Sequence, residues 1–108
     1  MCSSDLVRFI YEGETLKGFS LKGHSSNDGD DDLGRTVCAA VSSAAYMTAN
    51  TVTDIFGDKA DIKVDDALMD LYVKNPSEST VKLLCGFKAH MEQLACQYSN
   101  KVRIYSEV

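Results

Sequence analysis

No stretch of this 108-residue sequence approaches the roughly 20 consecutive apolar residues that a membrane-crossing helix needs. Its four cysteines, at positions 2, 38, 85 and 96, form no CxxC pair and no metal-finger spacing, so no structural zinc site is expected. Positive charge is also in short supply. Eleven Lys and Arg stand against sixteen Asp and Glu, for a net charge of −5, and the basic residues are scattered. Binding to phosphates needs a basic stripe, so nucleic acid is excluded as the main ligand. The N-terminal segment Met1-Cys2-Ser3-Ser4-Asp5 has neither the basic nor the apolar region of a signal peptide. The expectation is a cytoplasmic protein whose thiols stay free in a reducing compartment. Neither an internal repeat nor a linker divides residues 1–108, which read as a single domain.

What is present suits one modest core. The hydrophobic share of 44% and charged share of 25% are those of a soluble globular domain. An acidic surface favours a neutral or basic partner. Residues 6–11 are β-branched and aromatic, Glu12-Gly13-Glu14 reads as a turn, and residues 15–21 alternate imperfectly, with Leu16, Phe19 and Leu21 inward. Together they predict a hairpin. Residues 24–35 hold two glycines, four aspartates and a single apolar side chain, Leu33, which is loop chemistry.

Thr36 is placed to cap a helix over 37–56, with Val37, Val41, Ala44, Ala45, Thr48, Val52 and Ile55 on one stripe and Gly57 as its stop. Strands are expected over 61–65 and 68–74. Asn75-Pro76-Ser77 then opens a helix over 78–99 with Leu84, Phe87, Met91, Leu94 and Tyr98 on its apolar side. A last strand spans 101–108. The order ββαββαβ predicts an α+β two-layer domain, with two helices packed on one face of a mixed sheet.

Chemistry concentrates at Cys38 and His24. With Thr36 as cap, Cys38 would be the second helical residue, where unpaired N–H groups and the helix dipole favour a thiolate. The same N–H groups, at Cys38 and Ala39, would hold an oxyanion. Taken alone, a cysteine in an Ala-rich helix is more often a packed side chain than a nucleophile. His24 alone is more often a surface residue. The loop between the two can fold back, however, and a strand end and a helix start share a rim in such domains. A thiol and an imidazole at that rim make an activated pair.

Other candidates carry less. Cys85 and Cys96 read as core or half-buried thiols, Cys2 as part of a frayed end, and His90 as a surface residue. The acidic run 28–32 lacks the glycine and the bidentate glutamate of a calcium loop, since Leu33 and Ala39 stand at those positions. Thiol redox chemistry lacks a resolving cysteine nearby.

Gly23-His24-Ser25, a glycine-bearing loop and Val37-Cys38-Ala39-Ala40-Val41-Ser42 resemble the ribosomal-processing cysteine protease (Prp) family. The resemblance extends over essentially the whole chain. It implies that Cys38 is the nucleophile and His24 the general base of an endopeptidase. Members remove the N-terminal extension of a large-subunit ribosomal protein, as small cytoplasmic homodimers without cofactor or metal. A basic ribosomal substrate would suit the acidic charge.

The chain departs from the family pattern at Arg35, where an aspartate is expected three residues before the cysteine. It also departs at Ser25, which replaces a common alanine, and in a loop about two residues longer than usual. An orienting aspartate is then missing or supplied by Asp30, Asp31 or Asp32, leaving a dyad as the firmer expectation. Arg35 would favour a thiolate but disfavour a protonated His24. Ser42, one turn beyond Cys38, is either a supporting hydrogen-bonder or a small packing residue. The alternative reading is a non-catalytic protein-binding or ribosome-assembly module of the same fold.

Overall fold

A computed structural model describes residues 5–23, 32–65 and 68–107, with the backbone alone described at Asp32, Gly34 and Glu107. Strands β1 (Asp5–Glu12) and β2 (Thr15–Lys22) pair antiparallel around Gly13-Glu14. Gly13 takes φ 64°, a left-handed conformation that glycine adopts without a Cβ penalty. The imperfect alternation of β2 has a physical cause. Ile10 faces Gly18 while Tyr11 faces Leu16, so Lys17 is the extra residue of a bulge. The inward set therefore switches from Leu16 to Phe19 and Leu21, all buried.

Helix α1 (Asp32–Asn50) runs into a π-helical turn, Thr51–Ile55, and Gly57 ends it at φ 74°. Strands β3 (Asp61–Asp65) and β4 (Leu68–Tyr72) follow, then α2 (Glu78–Gln97) and β5 (Val102–Glu107). The sheet order is β3-β4-β2-β1-β5, antiparallel throughout except for the parallel β1–β5 pair. This is the expected ββαββαβ mixed sheet with two helices on one face. A single core lies between the layers. Val7, Phe9, Phe19 and Leu71 from the sheet meet Val41, Ala45 and Val52 from the first helical segment and Leu84, Phe87 and Met91 from α2. The Phe87 ring packs edge-on to Phe9 and tilted on Phe19, at centroid distances of 5.8 and 4.5 Å.

Four local expectations change. Helix α1 already includes Asp32, so Thr36 is an exposed helical residue and not a cap. Gly34 costs a helix only about 1 kcal/mol, and the packing of Val37 and Val41 on the sheet outweighs it. The expected loop therefore gives way to helix by Asp32, and residues 24–31, including the acidic run up to Asp31, lie outside the described residues.

Ile55 is 74% exposed although it continues the Val41–Val52 spacing. The π turn, in which Phe56 N–H donates to Thr51 O at 2.9 Å, adds a residue per turn and rotates Ile55 off the stripe. Pro76 precedes the α2 cap, which is Ser77, whose hydroxyl accepts from Thr80 N–H. Cys85 and Cys96 are exposed, since they fall beside the Leu84–Phe87–Met91–Leu94 stripe and not on it.

Candidate active site

The inward alternation of β1 that buries Val7 and Phe9 also turns Asp5 inward, leaving that carboxylate only 4% exposed. Its backbone N–H donates to Lys101 O at 2.7 Å, tying the start of β1 to the residue before β5. With Leu6 opposite Lys22, the antiparallel register brings Asp5 level with Gly23, the residue that follows β2.

On α1, Val37 and Val41 face the core, and Cys38 sits one step round from Val37. Ser42 and Tyr46 repeat that direction at four-residue intervals. Cys38, Ser42 and Tyr46 accordingly line one pocket of about 90 Å³, together with Asp5 and Gly23. Asp65, Leu68 and Met69, from the end of β3 and the start of β4, form its other side.

Gly23 is the pivot of this arrangement. A Cβ built on it would lie 2.8 Å from Asp5 Oδ1 and 3.7 Å from Cys38 Sγ. Carboxylate and thiol therefore both approach Gly23 from the side on which a side chain would stand. Any larger residue at position 23 would have to displace the buried carboxylate. Cys38 is half-buried and forms no disulfide.

Cys38 and Ser42 share the pocket, and Ala39 is exposed beside it. Arg35 is exposed and does not line the pocket. His24 lies outside the described residues, as do Asp30, Asp31 and the side chain of Asp32. The helix-terminus argument needs correction. Cys38 is seventh in α1, about two turns in, so the N–H groups of Cys38 and Ala39 fall within the helical ladder and not at its open end.

Sequence reasoning missed Asp5, Gly23, Tyr46 and Asp65 as pocket residues. For Asp5 a signal existed, because it shares the two-residue phase of Val7 and Phe9. Among the described residues no group of three or more His, Cys, Asp or Glu is arranged to hold a metal, and no helix is long and apolar enough to cross a membrane.

Comparison with known proteins agrees with this fold. The fold matches the crystal structure of SMU.848 from Streptococcus mutans with a TM-score of 0.83 and 20% identity, covering 97% of each chain. It matches the essential ribosomal processing protease Prp from S. aureus, in complex with a substrate peptide, with a TM-score of 0.85 and 15% identity. That match covers 95% of this chain and 99% of the other. The same S. aureus protease with a covalently linked product peptide matches with a TM-score of 0.80 and 17% identity, over the same shares of the two chains. A search of curated proteins finds no match. The family described as Cysteine protease Prp matches residues 6–103. With nearly the whole sequence matched and its cysteine lining a pocket beside the glycine of the Gly-His step, the chain belongs to the Prp family of cysteine proteases.

Proposed function

We propose that this protease removes an N-terminal extension from a large-subunit ribosomal protein, with Cys38 as nucleophile and His24 as general base and acid. The observation that carries the reading is the approach of Cys38 Sγ to Gly23, 3.7 Å from where a Cβ would stand. His24, the assigned base, is the next residue in the sequence.

His24 takes the thiol proton, and the thiolate attacks the scissile carbonyl. Collapse of the tetrahedral intermediate breaks the C–N bond. The imidazolium gives its proton to the leaving amine, and a thioester remains on Cys38. Water, deprotonated by His24, then attacks the thioester, and the thiolate leaves as the second product forms. With the N–H groups of Cys38 and Ala39 inside the helix, the Ser42 hydroxyl is the assigned donor to the oxyanion, because it lines the pocket one turn from the sulfur.

Two further points support a ribosomal substrate. The S. aureus relative is a ribosomal processing protease held with a substrate peptide in one structure and a covalently linked product peptide in another. The net charge of −5 also complements a basic ribosomal protein. A cytoplasmic homodimer acting without cofactor completes the reading.

The test is incubation with the N-terminally extended ribosomal protein of the same organism, followed by mass spectrometry of the products. One cut within the extension is expected, lost in Cys38→Ala and in His24→Ala. Continued cutting by Cys38→Ala overturns the thiol mechanism. Tight binding without any cut by the unaltered protein favours a non-catalytic assembly module, for which the departure at Arg35 is the motive.

A further inference from the structure

We infer that the open face of the sheet is a docking surface for single-stranded RNA, held by Arg8, Lys22 and Arg103 and by the ring of Tyr105. The alternation that turns Val7, Phe9, Leu21 and Val102 toward the helices turns these four residues, with Leu6 and Ser20, to the opposite side. Both helices pack on the other face. Basic residues scattered along the sequence exclude nucleic acid as a main ligand, but strand pairing gathers three of them here. Leu6 stands between Lys22 and Arg103, and in the next row on that face Arg8 stands between Ser20 and Tyr105. Arg8 is therefore the diagonal neighbour of both Lys22 and Arg103, at roughly 7 Å.

All three cations are exposed, and among the described residues none forms an ion pair. Like charges on adjacent strands repel and weaken the sheet they stand on, a cost that a bound anion relieves. In a chain of net charge −5 the cluster sets up a local field opposite to that of the whole molecule.

The face is shaped as well as charged. Leu6, Arg8, Ser20, Lys22, Leu68 and Tyr105 line a depression of about 160 Å³. Arginine presents a fork that fits phosphate oxygens with two hydrogen bonds. Tyr105 is 49% exposed beside Arg8, so its ring offers a base a stacking plane. An acidic peptide would use the cations and leave that ring idle, whereas a nucleotide chain uses both. The Ser20 hydroxyl donates to Asp70 at 2.6 Å, which fixes a carboxylate at the end of the Arg8 row. That carboxylate accepts from a ribose 2′-hydroxyl, which favours RNA over DNA. Leu68 borders both this depression and the Cys38 pocket, so RNA held on the open face lies across the sheet from a peptide at the thiol.

The test is fluorescence anisotropy of a labelled single strand of about 10 nucleotides, as RNA and as DNA, titrated with the full chain between about 50 and 200 mM salt. RNA is expected to bind, with affinity falling about 20-fold over that range, because three phosphate contacts give a log–log slope of about −2.1. Arg8→Gln should weaken binding and flatten the slope to about −1.4. Tyr105→Ala should weaken binding about tenfold and leave the slope unchanged. Lys82→Gln removes the same charge from an exposed position on α2 and should change neither quantity.

No binding of RNA at the lower salt overturns the proposal, as does an equal loss in Lys82→Gln and Arg8→Gln. DNA bound as tightly as RNA overturns it too. Binding of a polyglutamate peptide in place of RNA overturns it and reassigns the face to an acidic protein. Cleavage does not enter these readouts, so the result stands apart from the protease reading.

Discussion

Replacing Phe87 by alanine should remove a core ring that meets two other buried aromatics. The ring is 4% exposed and links α2 to both strands of the hairpin through Phe9 and Phe19. Deleting a buried Phe costs about 3–5 kcal/mol, through lost transfer energy and the cavity left behind. The upper half of that range applies here. Phe9 and Phe19 are held in the sheet and cannot collapse into the space, and each ring pair adds about 0.5–1.5 kcal/mol beyond area burial. A domain of this size is stable by only about 5–15 kcal/mol, so the loss should take a large share of the total and sharply lower the urea midpoint. The slope of the transition should not change, because the unfolded chain exposes the same surface. In a thermal scan the Tm should fall by more than about 12 °C. Phe87→Leu should recover more than half of the loss. A loss below about 1 kcal/mol in Phe87→Ala would refute the idea that one core joins the two layers through this ring.

The start of α2 gives a pH-dependent outcome. Asp58 accepts hydrogen bonds from the Thr80 hydroxyl and from the N–H and hydroxyl of Ser77, which hold its carboxyl below the usual value of 3.8. A depressed carboxylate stabilises the fold above its unfolded pKa, and that contribution is lost as pH falls through the folded value. Wild-type Tm should therefore drop more steeply than that of Asp58→Asn once pH falls below about 4. Ser77→Ala should cost about 1 kcal/mol at neutral pH in urea titration, as loss of an N-cap does. Gly18→Ala should destabilise by about 1–3 kcal/mol or more, because the added Cβ would meet the Leu71 carbonyl oxygen at 2.0 Å and push β2 from β4. A melt within 2 °C of wild type would contradict that close approach.

Much of this fold is legible in the sequence because each element carries its own period. The stripe Leu84, Phe87, Met91, Leu94 predicts the buried face of α2, and the alternation of Val102 and Ile104 predicts the inward face of β5. What was not legible depends on single-residue shifts in phase. The bulge at Lys17 and the π turn after Asn50 each change which side chains point inward, and no local composition announces either. The start of α1 was obscured by Gly34, whose modest helix penalty is outweighed by packing further along the helix. At the site, Cys38 and Ser42 were visible as a motif. Asp5 was legible only in part, because its phase with Val7 and Phe9 turns it inward while strand register decides what it meets. Only the pairing of Leu6 with Lys22 brings a carboxylate 18 residues away in sequence beside Gly23.

The central claim is that Cys38 is an activated thiol, and the molecule contains its own references. Cys85 and Cys96 are exposed on α2, whereas Cys38 is half-buried in its pocket. Exposure alone would make Cys38 the slower to react. The deciding measurement is the rate of iodoacetamide alkylation at each cysteine near neutral pH, read by peptide mass spectrometry in the wild type and in His24→Ala. The account predicts that Cys38 reacts faster than Cys85 and Cys96, and that His24→Ala abolishes the advantage. Alkylation of Cys38 no faster than that of the two exposed thiols would contradict it.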